Sequence, residues 1–241
     1  MASCGTRQAS AAEMKARIEK LFAGWTVQQP PVPEFPKVAN APKPGIYVGT
    51  KTDVTQTNFA VGQLGGTLKD ADYPALEVMS DILGGGFKSR LFRRVRTELG
   101  YAYGISASWG ANFDHPGLFE ITGSTKSAST VDTLKAVDQE VRKIREKLVT
   151  ADELESSKQT VANSFVFNFD TPAKTLNRLL TYRYFGYPDD FIFTYQKAIA
   201  AVTREDILRV AGKYLDPSKF VTVAVGNPKD FGKQIGTERG L

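Results

Sequence analysis

One histidine and one cysteine are all that these 241 residues contain. Protein zinc sites need three or four ligands, drawn mostly from Cys and His. His115 and Cys4 are far apart in the chain, so a self-contained zinc centre is not expected. A single cysteine also excludes an intrachain disulfide framework. No D-x-D-x-D-G calcium loop occurs. No apolar run approaches the ~20 residues that span a bilayer, and the N-terminus has no apolar signal-peptide core. The net charge of +5 is spread among 31 basic and 26 acidic residues. Without a Lys/Arg block or a nucleic-acid motif, neither nucleic acid nor membrane is an expected partner. What remains is ordinary for a soluble globular protein, with 41% hydrophobic and 24% charged residues.

The first periodic segment is "SAAEMKARIEKLFAGW". Ser10 and Glu13 have capping-box spacing, and Met14, Ile18, Leu21 and Phe22 recur at helical spacing. Six prolines between Pro30 and Pro44 then mark a linker, because proline removes backbone donors and holds the chain extended. These features divide the chain into a leader with one helix (1–29), a linker (30–44), a main domain (45–228) and a tail (229–241).

Within the main domain, "IYVGTKTDVTQTNFAVGQLGG" predicts one or two strands with a polar turn near Lys51–Asp53. "DADYPALEVMSDILGGG" predicts a helix with Leu76, Met79, Ile82 and Leu83 on one face, stopped by Gly84–Gly86. That glycine run lacks the Gly-Lys-Ser/Thr of a phosphate loop, so it reads as helix termination. "SRLFRRVRTELG" is a second short helix ending at Gly100, followed by two antiparallel strands turning near "FDHPG". His115 reads as an ordinary turn residue. A pair of helices follows, with a break near Val149 and a capping box at Thr150 and Glu153, then three more helices and the closing strand "KFVTVAVGNP". Strands first, helices next and one strand last imply an α+β fold, an antiparallel or mixed sheet with helices packed on one face. Met14 and Met79 both read as core.

"LGGGFKSRLFRRVRTELGYAYGISAS", "FNFDTPAKTLNRLLTYRYFGYP" and "AVTREDILRVAGKYLDPSKFVTVAVGNP" together resemble the pitrilysin-like zinc peptidases. These are the inverzincins, related to mitochondrial processing peptidase and to respiratory-complex core proteins. The resemblance covers about 41–228 and is to the C-terminal, non-zinc half of the family's two-domain module. It implies that residues 10–29 are the last helix of a preceding half, and that the chain is a fragment or a short partner subunit. The family's catalytic half carries H-x-x-E-H, in which two histidines bind zinc and the glutamate activates water. A chain whose only histidine is His115 has no such motif, so the resemblance implies no cofactor here and zinc in a homologous partner half.

What the second half contributes in active members is an arginine and a tyrosine in the pattern R-x-x-x-x-x-x-Y around a glycine. They fall on Arg96 and Tyr103, with Gly100 between them. The implied role is to bind peptide substrate near the scissile bond and to donate hydrogen bonds to the developing oxyanion. Tyr101 does not match the motif and has a lining role at most. Read without the resemblance, the same residues are a solvated arginine and packing tyrosines. Two functions follow: the substrate-binding half of a zinc endopeptidase, forming a two-domain or dimeric chamber with its partner, or a non-catalytic structural or assembly subunit of the same fold.

Overall fold

The computed structural model describes residues 10–31, 33–36 and 43–231. The leader expected at 1–9 with Cys4, part of the linker, and the tail from 232 onward lie outside the described residues. The chain divides into two compact units, with the boundary after Pro36.

The first unit contains helix α1 (Ala11–Phe22). Its capping box is formed: the Glu13 amide donates to Ser10 Oγ at 3.2 Å, and the Ser10 amide donates to Glu13 Oε2 at 3.0 Å. The apolar stripe exists but is not core. No residue of α1 is buried, and Met14 is 46% exposed. The expectation for Met14 is therefore wrong, because helical periodicity reports a face able to pack and says nothing of whether the unit supplies a surface to pack against. Met79, in the second unit, is wholly buried.

The second unit is built on six strands: β1 (Gly45–Thr50), β2 (Gln56–Leu64), β3 (Gly66–Thr67), β4 (Ala102–Asn112), β5 (Pro116–Lys126) and β6 (Val221–Gly226). Their order is β1-β6-β2-β5-β4-β3. The sheet is mixed: β1 runs parallel to β6, β3 runs parallel to β4, and the other neighbours are antiparallel. Of the one or two strands expected around Lys51–Asp53, two form, but they do not pair with each other. The closing strand β6 lies between them, so the short turn joins strands separated by one position.

Alternation along the strands gives the sheet two faces of different chemistry. Phe59, Val61, Ile105, Ala107, Phe119, Ile121 and Ala224 point to a buried face. There they meet α2 (Tyr73–Gly84), α3 (Thr130–Glu146), α4 (Ala151–Val166), α6 (Phe191–Ala201) and α7 (Arg204–Tyr214) in one apolar cluster. Leu76, Met79 and Leu83 of α2 are wholly buried in it, each worth about 1.5–3 kcal/mol relative to exposure. Helix α5 (Pro172–Tyr184) contributes only Tyr182 as a buried residue. The glycine run does more than end α2. A Cβ on Gly84 would lie 2.2 Å from the Ala107 backbone nitrogen, so this glycine lets the helix end rest directly on β4.

Candidate functional site

The opposite face of the sheet is exposed and mixes small polar side chains with apolar ones such as Tyr47, Val223 and Val225. In register across it lie Gly49, Val225, Asn58, Ser124 and Gly104, and next to them Tyr47, Val223, Ala60, Thr122 and Ser106. Ser106 Oγ and Thr122 Oγ1 are 3.2 Å apart. Together with Asn58 and Ser124 they line a shallow depression. On the outer side of β4, β3 pairs only with Ala111 and Asn112. Among the described residues, the edge from Tyr103 to Gly110 has no strand partner.

Both sequence-predicted residues lie where the chain enters this edge. The segment Phe92–Glu98 is wound as a π-helix rather than the α-helix that its pattern suggests. The Leu99 amide donates to the Arg94 carbonyl at 3.1 Å, five residues back, and the Tyr101 amide donates to the Val95 carbonyl at 3.0 Å. Gly100, with φ +64°, takes the left-handed conformation that closes such a helix end and turns the chain into β4. Arg96 is in the last turn of this segment and is exposed.

Its neighbours constrain it. Arg90 forms two hydrogen bonds of 2.8 Å to the Glu153 carboxylate, tying the segment to α4. Arg94 pairs with Glu98 at 2.9 Å. Among the described residues, Arg96 has no such hydrogen bond or ion pair. Its guanidinium lies over the Phe92 ring, 4.5 Å from the centroid, and Phe92 packs edge-on against Phe87. This aromatic platform was not anticipated, although Phe92 and Arg96 have the i, i+4 spacing that could have indicated it.

Tyr103 is 57% exposed. Opposite it on β5 the register slips, with Ala102 facing Thr125 and Gly104 facing Ser124. Tyr103 is therefore the extra residue of a β-bulge, a device that re-aims a side chain and breaks the regular ladder. Tyr101 behaves differently. It is half-buried against the core, and its carbonyl accepts a hydrogen bond from Thr125 Oγ1. Arg96 and Tyr103 are thus both presented outward on consecutive elements, whereas Tyr101 packs inward.

His115 is in the β4–β5 turn, with Nδ1 2.7 Å from the Asp114 carboxylate. Among the described residues, no group of three or more His, Cys, Asp or Glu side chains is placed to hold a metal ion. No described helix is long and apolar enough to cross a membrane.

The family model for the peptidase M16 inactive domain matches residues 8–161. This chain belongs to that family. An uncharacterized zinc protease of Streptomyces coelicolor is 29% identical over 187 residues, covering 76% of this chain and 39% of that protein. A Helicobacter pylori protein described as a non-peptidase homolog, YmxG, is 28% identical over 160 residues, covering 66% and 36%. A solved peptidase M16 inactive domain from Pseudomonas fluorescens superposes with a TM-score of 0.80 at 25% identity, covering 91% of this chain and 52% of that one. The chain therefore spans less than half the length of these curated relatives. The M16 inactive domain is the non-zinc half to which the sequence motifs pointed, and the mixed α+β sheet agrees with it.

Proposed function

We propose that this M16 inactive domain is the substrate-binding half of a zinc endopeptidase, without turnover when alone. A homologous zinc-bearing half, in the same polypeptide or as a separate subunit, completes a chamber around the peptide. The zinc, held by that other half, would supply the activated water. Arg96 would hold the peptide through its fixed guanidinium. The neutral Tyr103 phenol would donate to the carbonyl oxygen as charge gathers on it. The open face suits a chamber wall, since the shallow depression lined by Asn58, Gly104, Ser106, Thr122 and Ser124 leaves room for a peptide backbone. The unpaired edge of β4 can accept that backbone as an added strand.

The observation that carries this reading is the outward presentation of Tyr103 by a bulge immediately after the turn that ends the Arg96 segment. A tyrosine serving only as packing gains nothing from such exposure.

A second reading is favoured by the relative described as a non-peptidase homolog: an assembly subunit that retains the fold without taking part in catalysis. Reconstitution with a zinc-bearing half separates the two. Tyr103→Phe removes one donor and little packing, and should lower turnover about a hundredfold, the typical effect of losing one oxyanion donor. Arg96→Ala should cost at least as much. Tyr101→Phe is the control and should change turnover by less than about threefold. Full turnover in the zinc-loaded Tyr103→Phe complex, with an unchanged melting temperature, would favour the assembly subunit.

A further inference from the structure

On the helical side, away from the Arg96–Tyr103 edge, α2, α5 and α6 enclose a cavity of about 200 Å³. Its wall is largely aromatic, including Phe113, Phe165, Phe191 and Tyr182, and two charged side chains line it, Glu77 of α2 and Arg178 of α5. A wider, more open depression of about 430 Å³ adjoins it, sharing Leu68, Tyr73, Phe191 and Tyr195.

The two charges do not neutralise each other. The Glu77 carboxylate accepts a hydrogen bond from the Tyr195 hydroxyl. Arg178 donates to the amide oxygen of Asn168 and lies 5.9 Å from the centroid of the Tyr182 ring. Neither makes an ion pair among the described residues. A carboxylate and a guanidinium lining one small cavity ordinarily gain by pairing, since each loses hydration there. Their hydrogen-bond partners among the described residues, Tyr195 for Glu77 and Asn168 for Arg178, are neutral, so both charges remain available to an occupant. Burial pushes the Glu77 carboxyl above its ordinary pKa, the Tyr195 and Tyr73 hydroxyls oppose it, and the nearby Asp81 carboxylate adds to the rise. A cationic nitrogen beside it would favour its ionised form.

We infer that this cavity binds a small zwitterion, an α-amino acid with an aliphatic side chain. Its ammonium would pair with Glu77, its carboxylate with Arg178, and its side chain would rest against the phenylalanine rings. The cavity volume of about 200 Å³ suits a side chain of the size of valine or leucine. This site is independent of the peptidase reading, and its test needs no zinc-bearing half.

Titration calorimetry on the full chain would use L-leucine, isopentylamine, which lacks the carboxylate, and 4-methylpentanoate, which lacks the ammonium. Leucine should bind, and each single-charge analogue should be at least about tenfold weaker, the equivalent of one lost charged contact. Glu77→Gln and Arg178→Gln should each weaken leucine about tenfold or more. Arg183→Gln, an exposed change of the same charge on the same helix, should leave the affinity unchanged. Near-UV circular dichroism checks the fold. If Glu77→Gln does not fold, Arg178→Gln and the two analogues decide the matter. Absence of heat at millimolar leucine, equal binding of all three probes, or equal loss in Arg183→Gln would each overturn the proposal.

Discussion

The guanidinium of Arg96 lies 4.5 Å from the centre of the Phe92 ring, four residues earlier on the same π-wound segment. Among the described residues the guanidinium donors have no hydrogen-bond partner, and the ring contact limits where the side chain can go. Phe92→Leu keeps much of the apolar packing but removes the ring. An exposed cation–π contact is worth about 0.5–1 kcal/mol. In a zinc-reconstituted complex the substitution should therefore raise KM about two- to fivefold, with a smaller effect on kcat. Steady-state kinetics with a fluorogenic peptide would measure this, and an unchanged KM would show that the ring does not position Arg96.

The segment that carries Arg96 is held to the helical layer by Arg90 and Glu153. Burial pushes the Glu153 carboxyl up, but hydrogen bonds from Arg90 and from the Thr150 amide outweigh it and hold the pKa at about 2, against an ordinary 4.5. A carboxylate with a depressed folded-state pKa stabilises the fold above its unfolded pKa and loses that contribution as pH falls towards the folded value. The contribution should be full above about pH 4.5 and should fade between there and about pH 2. Glu153→Gln should cost about 2 kcal/mol at neutral pH, and should flatten the acid limb of a melting-temperature profile measured from pH 7 to pH 2. Parallel acid limbs in the two proteins would exclude Glu153 as the source.

Gly84→Ala should be among the most damaging single-methyl additions. The new Cβ would stand 2.2 Å from the Ala107 nitrogen and 2.5 Å from the Ala107 Cβ, so α2 or β4 must shift. Overpacking of this kind costs about 1–3 kcal/mol, equivalent to roughly 5 °C in Tm for a domain of this size. Gly86→Ala is the matched control, because nothing lies within 4 Å of its added Cβ. Scanning calorimetry should show a drop in the first variant that is absent from the second.

A bulky cation on the open face tests the chamber wall. Ser106 is exposed, and its hydroxyl lies within hydrogen-bond distance of Thr122 Oγ1. Ser106→Arg should change stability by no more than about 0.5 kcal/mol. In the reconstituted enzyme it should reduce kcat/KM for a long peptide by tenfold or more. A variant that cleaves long peptides normally would remove this face from the substrate path.

Signals that act over three or four residues were legible without the structure. Ser10 with Glu13 and Thr150 with Glu153 both form the capping boxes that their spacing announced, because such a motif satisfies its own backbone donors locally. Gly100 closes the Arg96 segment because that turn needs positive φ, a requirement glycine meets without a partner elsewhere. The motif order was also enough to indicate the family. Tertiary structure decided what depends on residues far apart in the chain. It inserted β6 between β1 and β2, made Tyr103 the extra residue of a bulge opposite β5, and left Met14 on the surface while Met79 was buried. It also brought Glu77 and Arg178, 101 positions apart in the sequence, to the wall of one cavity. The physical reason is that a periodic pattern reports which side chains can be buried, whereas the partner that buries each one is chosen only when the whole sheet and its helical layer pack together.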